Sequence, residues 1–219
     1  MARLPRARCG DVIFHVLNRG NARQQLFFSE KDYAFFLRLL REAQQRIPLR
    51  ILKFCLMPNH WHLLVWPSCA DELSNFMHWL EVTHTQRWHR FSATVGYGHI
   101  YQGRYKAFPV VTGSYLVTVA KYIERNALRA KLVGRAENWP WCSLSSAIRA
   151  TPILTPFPVA LPERWIDYVN DPESDQDLFA LRLSVTRGRP YGSEGWTLET
   201  AARLGITQSL RPRGRPKKE

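Results

Sequence analysis

The chain has 219 residues, 45% hydrophobic and 22% charged, a globular balance that excludes disorder over its whole length. Its 31 Lys and Arg against 18 Asp and Glu leave a formal charge of +13, so its surface attracts polyanions, nucleic acid first and a membrane surface second. No apolar run reaches bilayer length, the start of the chain has no apolar signal-peptide core, and Cys9, Cys55, Cys69 and Cys142 show no C-x-x-C spacing; the expectation is a cytoplasmic, nucleoid-associated protein with reduced thiols, no membrane partner and no disulfide or structural zinc framework.

Asp11 to Asn18 (DVIFHVLN) is short, rich in β-formers and stopped by Gly20, which predicts a strand. Ser29 stands as an N-cap with Asp32 at the capping-box position, and Phe28 and Tyr33 are placed as a hydrophobic staple. Tyr33, Phe36, Leu37 and Leu40 follow at helical spacing until Pro48. Arg50 to Met57 and His60 to Trp66 are apolar runs split by Pro58-Asn59, which predicts a hairpin. Leu73, Phe76, Met77, Leu80, His84 and Arg87 stripe a second helix reaching about Arg90. Ile100 to Val111 reads as a strand, and Leu116, Val119, Ala120 and Ile123 stripe a third helix. This order gives an α+β fold: a ferredoxin-like, split-βαβ antiparallel sheet with helices on one face, an open face free to carry function, and an extra helix behind. Pro152, Pro156, Pro158 and Pro162 crowd the next stretch, so residues 1–150 are expected to form the packed domain and residues 151–219 a Pro-rich linker and basic extension, partly disordered.

Two runs carry chemistry. In Met57 to Pro67 (MPNHWHLLVWP), His60 and His62 share one strand face while Trp61 points to the other, so both imidazoles can reach one divalent ion. As bare spacing, H-x-H favours half-buried sheet histidines with no ligand role. In Lys121 to Val133 (KYIERNALRAKLV), Tyr122 and Asn126 are four residues apart on a helix, with Arg125 and Arg129 beside them. A phenol and an amide among arginines suit a phosphate, and a boundary tyrosine on an ordinary charged face fits as well; composition leaves both open.

The ordered pieces FHVLNRGN (Phe14 to Asn21), LMPNHWHLLVWP (Leu56 to Pro67), YQGRYKAFPV (Tyr101 to Val110), YIERNALRAKLV (Tyr122 to Val133) and NWPWCSLSS (Asn138 to Ser146), with a basic RGRPKK tail (Arg213 to Lys218), resemble the REP-associated tyrosine transposases. These belong to the HUH single-strand DNA endonucleases with one catalytic tyrosine. The resemblance spans nearly all of residues 11–150. The departures are Ala127-Leu128 where the family usually has Pro-Val, Lys131 where it usually has Gly, and Cys142 for a common serine. The resemblance implies a transposase that cuts and rejoins single-stranded DNA at hairpin or palindromic repeats. Tyr122 would be the nucleophile forming a 5′-phosphotyrosine, and His60, His62 and Asn126 the ligands of a Mg²⁺ or Mn²⁺ ion, with no nucleotide cofactor. The alternative is a non-catalytic DNA-binding protein on the same fold.

Arg19, Arg104, Lys106, Arg125 and Arg129, with Arg213, Arg215, Lys217 and Lys218 of the tail, are the candidate phosphate contacts, each with an ordinary solvated charge as the alternative. Trp61, Trp139 and Trp141 can stack bases, but are assigned rather to the core and to pinning the chain after the tyrosine helix. A monomer is expected, with a homodimer as the alternative.

Overall fold

In the computed structural model of the chain, which describes residues 11–69, 71–92, 96 and 98–211, strand alternation decides the architecture. β1 (Ile13–Arg19), β2 (Arg50–Met57), β3 (His60–Trp66) and β4 (Lys106–Val110) form a four-stranded sheet in the order β2-β3-β1-β4, each neighbouring pair antiparallel. α1 (Glu30–Arg46) joins β1 to β2 and α2 (Glu72–Phe91) joins β3 to β4, the expected split-βαβ order. Phe14, Val16, Phe54, Leu56, Trp61, Leu63 and Val65 turn to one face and meet Phe36, Leu40, Phe76, Met77 and Leu80 in one core. The capping box forms: the Ser29 N–H donates to Asp32 Oδ2 at 2.8 Å. The staple does not. Phe28 is 66% exposed, and its neighbour Phe27 stacks on Tyr33 at 4.7 Å instead.

The second sheet face, expected open, is largely roofed. Ile13, Cys55, Leu64, Phe108 and Val110 make that face apolar as well, so it too needs cover. Leu116, Val119, Ala120 and Ile123 of α3 (Ser114–Glu124) supply it. A bulge between Ile51 and Lys53 turns Lys53 toward this side of β2. The strand expected over Ile100 to Val111 is shorter: upstream of Lys106 the ladder with β1 stops, and the chain is held there by an isolated Gly20–Tyr101 bridge and by single bonds such as the Gln102 N–H to Arg19 O at 3.0 Å. The helix expected to run through Tyr122 and Asn126 breaks at Arg125 (φ −83°, ψ −2°), and α4 (Asn126–Arg129) comes after it. Lys131 takes φ 58°, a left-handed conformation that costs a side-chain-bearing residue about 1–2 kcal/mol.

The domain boundary expected near Arg149 is not there, and the C-terminal residues correct it. α5 (Ser146–Arg149), α6 (Trp165–Asn170), α7 (Asp175–Arg187) and α8 (Glu194–Arg203) continue the packed structure. Ile153, Ala201, Leu204 and Ile206 join the first core; Val169, Leu181 and Tyr191 join the second. The Tyr191 N–H donates to Pro109 O at 2.8 Å, tying the extension to β4. The prolines fix the conformation of a connecting loop, and the apolar residues beyond it have a sheet face to bury against. Among the described residues no helix is long and apolar enough to cross a membrane.

Leu181 is fully buried, so Leu181→Ala is expected to cost about 2–5 kcal/mol and to lower the melting temperature of the whole chain in one transition. A calorimetric scan with an unshifted main transition would show that the extension is not part of the cooperative unit.

Candidate active site

The β1–β3 register sets Arg19 opposite His60 and Leu17 opposite His62, which leaves His15 diagonal to His62 on the same face. The His15 and His62 rings are 5.0 Å apart, as are those of His60 and His62. Trp61, between them in sequence, turns the other way into the first core, and its Nε1–H donates to Tyr101 Oη at 3.2 Å. Hydrogen bonds orient both histidines. His60 Nδ1 lies 2.7 Å from Asn59 Oδ1, an acceptor, so Nδ1 carries the proton and Nε2 keeps its lone pair. His62 Nδ1 is engaged by His15 Nε2 at 2.8 Å. Among the described residues no hydrogen bond takes up Nε2 of His60 or His62.

Charge state follows from burial. Burial first, then the Arg19 and Arg129 charges, push His60 down to about 3. Burial and Arg129 likewise push His15 down to about 3. His62 is pushed well below the ordinary imidazole range by burial, with His15, His60, Arg129 and Arg19 adding to it. All are neutral near pH 7, the form in which imidazole ligates a metal.

Tyr122 of α3 lies over this group, 8% exposed, its ring 6.0 Å from His62 and 6.1 Å from His15. Among the described residues its hydroxyl makes no hydrogen bond. Asn126 begins α4 beyond the break, 7% exposed, its side-chain amide also without a hydrogen bond there. Among the described residues no three His, Cys, Asp or Glu side chains converge as a ligand set. Two neutral imidazoles with Nε2 available, and an uncommitted amide as the candidate third donor, fit a weakly held divalent ion and not a closed structural site.

Sequence reasoning missed His15 and Glu173. His15 becomes visible only once the strand register is known. Glu173, 2% exposed at its side chain, pairs with Arg129 Nη1 at 2.5 Å and Arg125 Nη1 at 3.4 Å. These two arginines, expected on phosphate, are therefore committed inside the chain, because the extension sets a buried carboxylate between them. Arg19 is half-buried beside His60, Arg104 is exposed, and Lys106 is half-buried on β4. Arg213, Arg215, Lys217 and Lys218 lie outside the described residues. Trp141 stacks on Tyr33 at 4.9 Å and the Trp139 Nε1–H donates to Leu56 O at 2.7 Å, so both pin the chain after α4.

The sequence profile of the family described as Transposase IS200 like matches residues 9–126. Among solved structures, a REP-associated tyrosine transposase bound to a REP hairpin is similar at 20% identity with a TM-score of 0.54, over 74% of this chain and 96% of that one, which shows a shared fold. A candidate transposase from Deinococcus radiodurans is similar at 16% identity over 60% of this chain and 92% of its own, with a TM-score of 0.39. No curated protein matches.

The neutral histidines make the metal-free fold acid-sensitive. His15, His60 and the fully buried His84 are held to about 3, below the ordinary 6.5, so the unfolded chain binds protons that the folded chain refuses. Their contribution is full above 6.5 and is lost as pH falls toward 3. Glu81, raised to about 7 by burial, works in the opposite direction between 4.5 and 7 and is outnumbered. Denaturant unfolding without metal should give a midpoint that falls steadily from pH 7 to pH 4; a flat profile would contradict the burial of these rings as neutral groups.

Proposed function

The chain belongs to the IS200-like transposase family, and we propose that it cuts and rejoins single-stranded DNA at hairpin or palindromic repeats through a covalent 5′-phosphotyrosine on Tyr122. The observation that carries this reading is that Tyr122 lies, within one chain, against the histidine group of the sheet, its ring 6.0 Å from that of His62, which is in turn 5.0 Å from His60. The similar transposase solved with a REP hairpin supports a hairpin substrate.

Tyr122 Oη attacks the scissile phosphorus, the bond to O3′ breaks, and a free 3′-OH leaves. The ester on the tyrosine keeps the bond energy, so a 3′-OH attacking in reverse reseals the strand without ATP. His60 and His62, through Nε2, and Asn126, through its amide oxygen, would hold Mg²⁺ or Mn²⁺. When bound, such an ion neutralises charge developing on a non-bridging phosphate oxygen. Asn59 and His15 keep the imidazoles turned with Nε2 available, the outer contact that ligating histidines depend on. Arg19, Arg104 and Lys106 position the strand by its phosphates. A site assembled from one chain supports a monomer as the working unit.

With labelled hairpin-bearing single-stranded DNA and Mg²⁺, the wild-type chain should cut, while Tyr122→Phe and His62→Ala should bind the hairpin about as well as wild type and cut nothing. Tyr122→Phe removes one oxygen from a packed ring, and hairpin affinity rests on phosphate contacts. Robust cutting by either variant would remove the proposal.

A further inference from the structure

We propose that Glu173, on the loop after α6, is a positioning residue that holds the ring of Tyr122 in place through Arg129. This rests on Tyr122 being the nucleophile, as proposed above, and brings the C-terminal extension into the active site.

Tyr122 has no hydrogen bond to its hydroxyl among the described residues, so packing alone sets its ring. The cation on that ring is Arg129, whose Cζ lies 4.1 Å from the ring centroid and whose Nη2 donates to the Tyr122 carbonyl at 3.2 Å. A guanidinium on an arginine stem turns freely unless something fixes its plane. Here Glu173 Oε1 accepts from Nη1 at 2.5 Å, and Oε2 takes Arg125 Nη1 at 3.4 Å.

The segment behind Glu173 is tied down by further contacts. Asn170 accepts from Arg125 Nη2 at 3.2 Å through its carbonyl and from the Ala136 N–H at 2.9 Å through Oδ1. Asn170 Nδ2 donates to Glu137 Oε2 at 2.8 Å. Lys121 Nζ sits 4.0 Å from the Tyr168 ring centroid and donates to Pro172 O at 3.5 Å. Lys121, Arg125 and Arg129 thus rise four residues apart along the outer side of α3 and α4, and residues 168–173 cover all of them. At 2% side-chain exposure Glu173 is buried between the two arginines, so its charge is compensated inside the chain.

The test reads the ring directly. Protein labelled with 3-fluorotyrosine gives a ¹⁹F resonance for Tyr122, assigned by its loss in Tyr122→Phe. Glu173→Asp keeps the charge but draws the carboxylate back by one methylene. Glu173→Gln removes the charge and carries the greater risk of misfolding. In Glu173→Asp, with circular dichroism unchanged, the Tyr122 resonance should move or broaden, whereas Arg125→Gln, which keeps the Glu173–Arg129 pair, should leave it in place. In single-turnover cleavage, Glu173→Asp should lower the rate at saturating hairpin DNA about tenfold or more, as expected for a misplaced reacting group, with hairpin Kd unchanged. An unmoved resonance in folded Glu173→Asp overturns the proposal, and so does a loss of rate fully explained by Kd. If the wild-type chain forms neither cut nor adduct, the transposase mechanism fails by itself, and the ¹⁹F signal still decides whether Glu173 holds the ring.

Discussion

A single buried carboxylate fixes the end of the tyrosine helix. Glu124 is 0% exposed, and its charge is met from three separate segments: Lys53 Nζ of β2 at 3.0 Å, the Ser143 hydroxyl at 2.7 Å and the Trp165 indole N–H of α6 at 2.6 Å. Removing one partner of a buried pair costs about 3–5 kcal/mol, because the other charge is left uncompensated. Glu124 therefore ties α3 to the sheet and to the extension at once. Tyr122 is two residues away, so its place over the histidines depends on this junction.

The sheet divides its labour by face. One face is a conventional core under α1 and α2, anchored by Trp61 and by its bond to Tyr101. Tyr101 Oη accepts from Trp61, so its single proton goes to His84 Nδ1, 2.6 Å away, and every polar atom of that contact is used. The other face grades along β1 and β3 from apolar packing at Ile13 and Leu64 to His15, His62, His60 and Arg19. The same alternation that buries Trp61 turns its two neighbours, His60 and His62, to the opposite face, the one that Tyr122 lies over.

Much of this was legible in local sequence. The hairpin around Pro58-Asn59, the capping box at Ser29 and the facing of His60 against Trp61 depend on near neighbours, and the structure has each of them. The features that were not legible depend on partners far along the chain. His15 joins His62 across 47 residues through the strand register. Glu173 reaches back 44 residues to Arg129, and without it Arg125 and Arg129 look like free phosphate contacts. The prolines after Thr151 look like the end of a domain until the apolar second sheet face is known to need cover. The break at Arg125 likewise gives no local sign, since no glycine or proline marks it.

The central claim is the proposed chemistry: one tyrosine, set beside His15 and His62 and under Arg129, would take a strand of DNA onto itself. Among the described tyrosines, Tyr122 alone has ring contacts with both His15 and His62. The most direct measurement is peptide mass spectrometry of the wild-type chain after reaction with hairpin-bearing single-stranded DNA and Mg²⁺. The account predicts a 5′-phosphonucleotide on the peptide holding Tyr122 and on no other. An adduct on a different tyrosine, or strand cutting with no protein adduct, would contradict it.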